Sequence, residues 1–150
     1  MSTNEEILYS DYIGKIIHHL YLSLDEKLLP YNITHQQARI VCYVYEGTKR
    51  KQLIHQKQLE KLIGLKGASV TSLLQGLEKK DFIYRVSDGK DARKKDIHLS
   101  EKGKKLNKKF ISIFKEAETT LLDVISTDEK TIFLETLKKI NQNLDKKTNE

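Results

Sequence analysis

The residues of this chain most suited to chemistry are its cations. Of 27 Lys and Arg residues, 18 lie between residues 48 and 109, where only 7 of the 21 Asp and Glu residues occur. The formal charge of +6 is therefore concentrated in the middle of the chain. Because Lys and Arg neutralise phosphates and release condensed counterions, this distribution is typical of a nucleic-acid face. A solvated Lys-rich surface would have the same composition, and charge alone does not separate the two interpretations.

A second group of residues has the spacing and chemistry to contact base edges. Val70 and Leu74 mark the buried stripe of a helix predicted over residues 67–80. At about 100° per residue, the opposite side carries small and polar residues: Ala68, Thr71, Ser72, Gln75 and Lys79. Gln can form two hydrogen bonds with adenine. Ser and Thr hydroxyls can bond to donors or to acceptors on the base edges, and methyl groups can contact thymine. The alternative is an exposed helix surface that binds nothing.

The helix start offers a different kind of contact. Lys66 is better placed for a phosphate than for a base, as are the free N–H groups of the first turn. The predicted DNA contacts on this segment therefore divide into phosphate and base contacts.

These residues need a helix-turn-helix to position them, and the sequence predicts one. Residues 56–65 are expected to form a short helix with an inward face, and Gly64 supplies the turn before the next helix. The inward face consists of Leu59, Leu62 and Ile63.

A polar hairpin follows the helix-turn-helix. Residues 82–86 are aromatic and β-branched, and residues 96–99 alternate polar and apolar, so both are predicted strands. The connection between them has a basic tip that includes Lys90 and Lys94. Such a wing extends toward a flanking minor groove, whose negative potential attracts cations.

Amphipathic helices are predicted outside this unit. The first has apolar residues at spacings of three and four, Ile13, Ile16, Ile17, Leu20, Leu24 and Leu28, and ends at Pro30. Thr34 with Gln37 caps a second helix, which Gly47 is expected to stop before a basic loop.

Two further helices are predicted after the hairpin. Ser100 caps a long helix with Phe110 on its apolar face, and Ser126 with Glu129 opens a terminal helix. Because the apolar faces of the terminal helices need a cover, a two-fold dimer is expected, and it would bind a pseudopalindromic operator.

The predicted fold class is mainly α with a small β-wing, a winged helix-turn-helix with N- and C-terminal dimerisation helices. Its 150 residues suggest one domain. We assign about 48–109 to the DNA-binding part, and about 5–30 and 110–146 to the dimerisation helices.

Several stretches resemble the MarR family of bacterial transcriptional regulators, and within it the MepR-like repressors of multidrug efflux genes. The similarity covers essentially the whole chain. Its most specific part is the Asp-x-Arg wing with the strand and the Ser-Glu-Lys-Gly helix start that follow. The matching stretches are residues 58–65, 69–74, 77–80, 84–85, 91–93 and 97–103.

The resemblance implies a homodimer with one recognition helix per major groove and one wing arginine per minor groove. Arg93 matches that arginine, and Asp91 matches the aspartate that orients it. The predicted DNA-binding set is Lys66, Ala68, Ser69, Thr71, Ser72, Gln75, Lys79, Lys90, Asp91, Arg93 and Lys94. The sequence departs from the family at Asp81, where Gly is usual, and in having Ala92-Arg93-Lys94 in place of a tighter Arg pair.

The resemblance also implies a ligand cavity between the dimer helices and the winged unit. Its weak candidates are His18, Tyr43, Tyr45 and Phe110, for which core packing is the alternative. We expect a drug-like inducer to lower operator affinity there, and no cofactor.

Other function classes fit the sequence less well. It has no nucleophile elbow, phosphate-binding glycine loop or His-Glu-x-x-His motif, so no enzyme is expected. Cys42 lies in an apolar run, and the five His residues are scattered. Redox or metal sensing therefore remains an alternative, as does a non-specific architectural winged helix. With one Cys, no signal peptide and no long apolar segment, a cytoplasmic protein without a membrane partner is expected.

Overall fold

The computed structural model describes Glu6 and residues 8–87 and 95–148, and these form six α-helices and one two-stranded sheet. This mainly helical architecture with a small β-wing confirms the predicted fold class. The elements are α1 (Tyr9–Leu28), a 3-10 turn (Leu29–Tyr31), α2 (His35–Lys49), α3 (Gln56–Ile63), α4 (Gly67–Lys79), β1 (Ile83–Val86), β2 (Asp96–Leu99), α5 (Glu101–Leu121) and α6 (Thr127–Thr148).

The junction of α1 and α2 is held by side chains near the chain reversal. The Thr34 backbone N–H donates to Gln37 Oε1, and the Gln37 N–H donates to Thr34 Oγ1, both at 3.3 Å, which confirms the predicted capping box. The His35 backbone N–H also donates to Asp25 Oδ1 of α1 at 2.8 Å. The beginning of α2 is therefore fixed both locally and from α1.

The end of α2 differs from the sequence prediction. The helix does not stop at Gly47 but continues to Lys49, so Thr48 and Lys49 are helical rather than part of a loop. A Cβ at position 47 would lie 2.7 Å from Ile54 Cδ1. Gly47 therefore allows the chain to pack closely against α2, and it does not act as a stop signal.

The helix-turn-helix forms as expected. Gly64 has φ 75°, the left-handed conformation that ends α3, and α4 begins at Gly67. Leu59 of α3 is completely buried together with Val70, Leu74 and Leu77 of α4. Leu62 was expected to face inward, but it is 50% exposed because α3 is only eight residues long and packs through Leu59.

The two strands pair antiparallel, with Ile83 opposite Leu99 and Val86 opposite Asp96. Ile54 adds an isolated bridge to Ile97. Phe82, Ile83, Ile97 and Leu99 are buried, so one face of the hairpin base belongs to the core.

The residue that precedes α5 is hydrogen-bonded to the segment that follows α4. Ser100 Oγ accepts the Gly103 N–H at 3.1 Å, as the predicted cap requires. Its hydroxyl also lies 2.6 Å from the Asp81 carbonyl oxygen and 3.0 Å from that of Phe82. Asp81 has φ 62°, the conformation that favours glycine.

The chain divides into two compact units between Lys115 and Glu116. In the second unit, Ser126 and Glu129 form the predicted reciprocal cap at 3.0 and 3.2 Å. Every side chain from Ser126 to Lys147 is exposed. Across the described ranges, no helix combines the length and apolarity that a bilayer crossing requires.

Candidate nucleic-acid interface

The outward face of α4 has the composition that the sequence predicted. Val70, Leu74 and Leu77 are fully buried on the inner side. The predicted contact residues on the other side are exposed or half-buried: Ala68, Ser69, Ser72, Gln75 and Lys79 are exposed, and Thr71 is half-buried. Apart from Lys79 this face carries no charge, so it offers hydrogen-bonding groups and methyl groups to a neighbouring surface.

The start of α4 leaves backbone donors available. Lys66 is the N-cap residue, is exposed, and makes no side-chain capping bond. The Lys66 carbonyl accepts from the N–H groups of Ser69 and Val70, at 3.0 and 3.1 Å. The N–H groups of Gly67 and Ala68, which come before these two, have no acceptor within the helix, so this end of α4 favours an anion and has an ammonium group beside it.

The Thr71 side chain accepts a hydrogen bond from a residue of α3. Gln56 Nε2 donates to Thr71 Oγ1 at 2.8 Å and also lies 3.3 Å from the Gly67 carbonyl oxygen. A side chain at the start of α3 therefore contacts the outward side of α4.

Some of the cations counted in the sequence are engaged inside the molecule. Lys80 Nζ donates to Gln37 Oε1 at 3.0 Å, and Lys102 Nζ donates to the Lys80 carbonyl at 2.8 Å. Lys102 Nζ also lies 4.4 Å from the centroid of the Phe82 ring. Lys80 therefore joins the end of α4 to α2, and Lys102 joins it to α5, so the charge count of the central segment exceeds the charge available to a partner.

Arg85 on β1 is another engaged cation. Its Nη2 lies 2.5 Å from Glu78 Oε1 of α4, and the Arg85 side chain is 16% exposed. The ion pair joins the helix to the base of the wing. On the outer side of the hairpin, the Tyr84 and His98 rings stack with centroids 5.2 Å apart.

The residues predicted at the tip of the wing, Lys90, Asp91, Arg93 and Lys94, lie outside the described residues. Their contacts with DNA stay predictions.

The four candidate ligand-binding residues have different environments. Phe110 is completely buried and packs against the rings of Tyr31 and Phe82. His18 is exposed on α1.

The two tyrosines line separate cavities. Tyr43 borders one of about 490 Å³ with Gly47 and Leu62. Tyr45 borders another of about 260 Å³ with Lys49 and Lys104. The Arg39 guanidinium lies 4.4 Å from the centroid of the Tyr43 ring. Of these two cavities, which are formed by described residues, each is bordered by one of the two tyrosines only.

Cys42 is placed for packing. Its side chain is 3% exposed, and burial raises the pKa of the thiol to about 11. The described residues include no group of three His, Cys, Asp or Glu side chains that could hold a metal ion.

Sequence reasoning did not identify Gln56, Glu78 or Arg85 as residues that position α4. Gln56 and Thr71 are 15 residues apart on different helices, and Glu78 lies on α4 whereas Arg85 lies on β1, so the periodicity of a single helix relates neither pair. Neither a cap nor an apolar periodicity in the sequence indicates these contacts.

Comparison with known proteins agrees with this geometry. The family described as "Transcriptional regulator SarA/Rot" matches residues 23–110. The crystal structure of the Staphylococcus aureus MepR–DNA complex is 33% identical, covers 93% of this chain and 99% of that chain, and has a TM-score of 0.81. A MarR transcriptional regulator from Methanosarcina mazei Go1 is 25% identical, covers 91% of this chain and 98% of that chain, and has a TM-score of 0.75.

A curated relative, described as the uncharacterized HTH-type transcriptional regulator YwaE of Bacillus subtilis (strain 168), is 27% identical over 88 residues. The match includes 59% of this chain and 52% of that protein, so the chain spans about half the length of the curated relative. The family match covers more than half of the chain, and the MepR similarity covers nearly all of it. The chain therefore belongs to the SarA/Rot family of transcriptional regulators, and it is a MarR-like winged helix-turn-helix regulator similar to MepR and not an enzyme.

Proposed function

We propose that this protein regulates transcription by binding a pseudopalindromic operator in double-stranded DNA as a homodimer. The observation that carries the proposal is the outward face of α4, which is small, polar and exposed opposite a fully buried stripe. An α-helix with such a face fits the major groove, where base edges offer donors, acceptors and the thymine methyl group. The similarity to a MepR–DNA complex supports this arrangement.

The proposed base contacts are made by Ala68, Ser69, Thr71, Ser72 and Gln75. Lys66, Lys79 and the N–H groups at the start of α4 contact phosphates, which position the helix without reading sequence. At the wing, Arg93 enters the flanking minor groove and Asp91 orients it. Lys90 and Lys94 contact the backbone on either side.

The N-terminal helix supports the proposed homodimer. Leu24 and Leu28 are buried, but the earlier part of the apolar stripe is not: Ile13, Ile16 and Ile17 are 60%, 45% and 39% exposed. Tyr9 and Tyr12 on the same helix are also exposed. A second copy of the chain would remove this apolar surface from water.

The C-terminal helix gives a separate reason for a second copy. Of its large apolar residues, Ile132 is 64%, Phe133 45%, Leu137 46%, Ile140 52% and Leu144 54% exposed. A solvated helix that packs against nothing is typically polar all round. We therefore keep about 5–30 and 110–146 as the proposed dimerisation helices, and about 48–109 as the DNA-binding part.

We further propose that the protein is a ligand-responsive repressor of efflux or stress genes. An amphipathic or cationic drug-like inducer would favour a dimer whose recognition helices no longer match the half-site spacing, and so lower operator affinity. The cavity beside Tyr43 is lined by exposed Leu62 and by charged Glu46, Arg50 and Lys61, which suits an amphipathic ligand. If candidate ligands bind the protein and operator affinity stays the same, this mechanism is wrong.

The test of DNA binding begins with fragments retained by the protein from its own genome. A labelled retained fragment is competed against the same fragment unlabelled and against bulk DNA. A sequence-specific regulator is displaced far more efficiently by its own fragment. Equal competition would instead indicate a non-specific architectural protein.

Two variants then test the contacts. Arg93→Ala is expected to weaken operator binding by roughly 1 to 3 kcal/mol and to reduce the salt dependence, and Gln75→Ala is expected to relax the preference at one position in each half-site. Lys147→Ala, beyond the proposed dimerisation segment, and Gln142→Ala, on the side of α6 away from its apolar residues, are the matched controls, and both should bind as the unmodified protein does. Wild-type affinity and preference in Arg93→Ala and Gln75→Ala would refute the assignment.

A further inference from the structure

Thr71 differs from other helical threonines of this chain. Thr48, Thr120, Thr131 and Thr136 each donate their hydroxyl hydrogen to the carbonyl four residues earlier, at 3.0, 3.1, 3.2 and 2.7 Å. This back-bonding turns the hydroxyl hydrogen into the helix, where no partner outside can use it. For Thr71 the corresponding carbonyl belongs to Gly67, and it faces the Gln56 amide.

The orientation of the Gln56 amide follows from its two contacts. Its terminal nitrogen lies 3.3 Å from the Gly67 carbonyl oxygen, and an oxygen in that place would repel the carbonyl. The amide nitrogen therefore faces Gly67 and donates to Thr71 Oγ1 at 2.8 Å as well. Thr71 is the acceptor in this bond, so its own hydrogen is available for a partner outside the protein.

We propose that Gln56 is a specificity-determining positioning residue, which keeps the Thr71 hydroxyl turned outward as a hydrogen-bond donor to the DNA. The inference deepens the proposed function and rests on it, because it requires α4 in the major groove. The Gln56 amide nitrogen lies at the Gly67 carbonyl oxygen, to which the Thr71 hydroxyl would otherwise donate. It also donates to one lone pair of Thr71 Oγ1. The hydrogen of Thr71 is then directed to an acceptor on a base edge.

The acceptors within reach of such a donor define the expected preference. Thr71 is the fifth residue of α4, and the N-terminal residues of a recognition helix are those that contact base edges. Major-groove acceptors are purine N7, guanine O6 and thymine O4, whereas the amino groups of adenine and cytosine are donors. Thr71 therefore disfavours cytosine, whose major-groove edge presents only a donor, at one position of each half-site.

The experiment measures binding of full-length protein to a retained genomic fragment and to every single-base-pair substitution of one half-site. The variants are Thr71→Val, which has the same shape without the hydroxyl, and Gln56→Met, which has a similar length without the donor. One hydrogen bond corresponds to a preference of roughly two- to tenfold. We expect both variants to lose the same preference at the same position, and the double variant to lose no more.

Gln56→Glu is the second substitution at this position, in case Gln56→Met does not fold. A carboxylate accepts the Thr71 hydrogen and turns it inward, so the same preference disappears even if overall affinity falls. Gln52→Met, at an exposed residue in the loop before α3, is the matched control and should keep every preference.

Each outcome separates the inference from the function on which it rests. Loss of one shared preference in the Gln56 and Thr71 variants supports the inference. If Thr71→Val loses a preference that Gln56→Met and Gln56→Glu retain, or if Thr71→Val loses none, the inference is wrong and sequence-specific binding still stands. If the unmodified protein binds every fragment equally, the proposed function fails and the inference fails with it.

Discussion

At the scale of single residues, Cys42 shows how burial determines chemistry. The thiolate is the reactive form of cysteine, and a pKa raised to about 11 leaves almost none of it at neutral pH. Desolvation is the main cause of the shift, and the nearby Arg39 only partly opposes it. Cys42 is therefore poorly suited to sense an oxidant, which weighs against the redox-responsive alternative.

The same burial makes stability depend on alkaline pH. The unfolded thiol loses its proton near pH 9, and the folded thiol keeps it to about pH 11, so the unfolded state binds fewer protons in this window. The free energy of unfolding should consequently fall as pH rises from about 9 to 11. We expect Cys42→Ala, measured by denaturant titration at pH 8 and pH 11, to lose less stability than the unmodified protein. The native thiol should also resist alkylation at pH 7.5, and rapid modification there would contradict this account.

Backbone conformation gives a second prediction at this scale. Gly64 and Asp81 both have positive φ, at 75° and 62°, but only Gly64 is free of a Cβ clash. Gly64→Ala should lower the free energy of unfolding by about 1 kcal/mol, and Asp81→Gly should raise it by up to about 1 kcal/mol. Thermal or urea unfolding of the two variants measures both signs. Destabilisation by Asp81→Gly would show that its side chain contributes more than the strain costs.

At the scale of elements, side-chain contacts with neighbouring elements fix α4 near both of its ends. Gln56 contacts its first turns, and near its C-terminal end Glu78 pairs with Arg85 of β1. Lys80, just after the helix, bonds to Gln37, a side chain only 6% exposed. Because the contacts come from α2, α3 and β1, the orientation of the recognition helix depends on three neighbours.

The Glu78–Arg85 pair has a matched control in the same chain. Arg85 and Glu78 side chains are 16% and 35% exposed, whereas Arg50 and Glu46 are 74% and 48% exposed and 3.9 Å apart. Double-mutant cycles with Glu78→Gln and Arg85→Met should give a coupling of about 1 to 3 kcal/mol in the free energy of unfolding. The cycle with Glu46→Gln and Arg50→Met should give less than about 0.5 kcal/mol. Equal couplings would mean that burial does not strengthen the inner pair.

At the scale of the whole molecule, the main question is what covers the exposed apolar surface. Helix α1 buries its last turns but leaves its first turns exposed, and α6 has large apolar residues with no cover in its own unit. The proposed homodimer would cover both surfaces. It would also double the number of α4 helices that contact one operator.

A charge in α6 tests this proposal. Leu137→Asp should shift the protein from dimer to monomer in sedimentation experiments, because a carboxylate in an apolar interface is costly to desolvate. Loss of the second half-site contact should weaken operator binding by roughly 100-fold or more. Gln142→Asp places the same charge on an exposed polar position on the side of α6 away from the apolar residues, and this variant should stay dimeric. A Leu137→Asp protein that remains a dimer would place the interface elsewhere.

The order of the elements and several of the helix starts could be predicted from the sequence alone, although the end of α2 could not. Periodic apolar residues gave the helices, and the caps at Thr34, Ser100 and Ser126 lie within three residues of their partners. Such signals are local, so they act before any packing is known. The buried stripe of α4 and its polar outer face followed from the same periodicity.

Only the tertiary structure determined which side chains from different elements are in contact. Gly47 lies inside α2 with Ile54 packed against it, and Lys80 donates to Gln37, 43 residues earlier in the chain. Gln56 reaches Thr71 only because the turn at Gly64 brings α3 against α4. A contact between distant residues depends on the packing of whole elements, and residue spacing along the chain does not specify it.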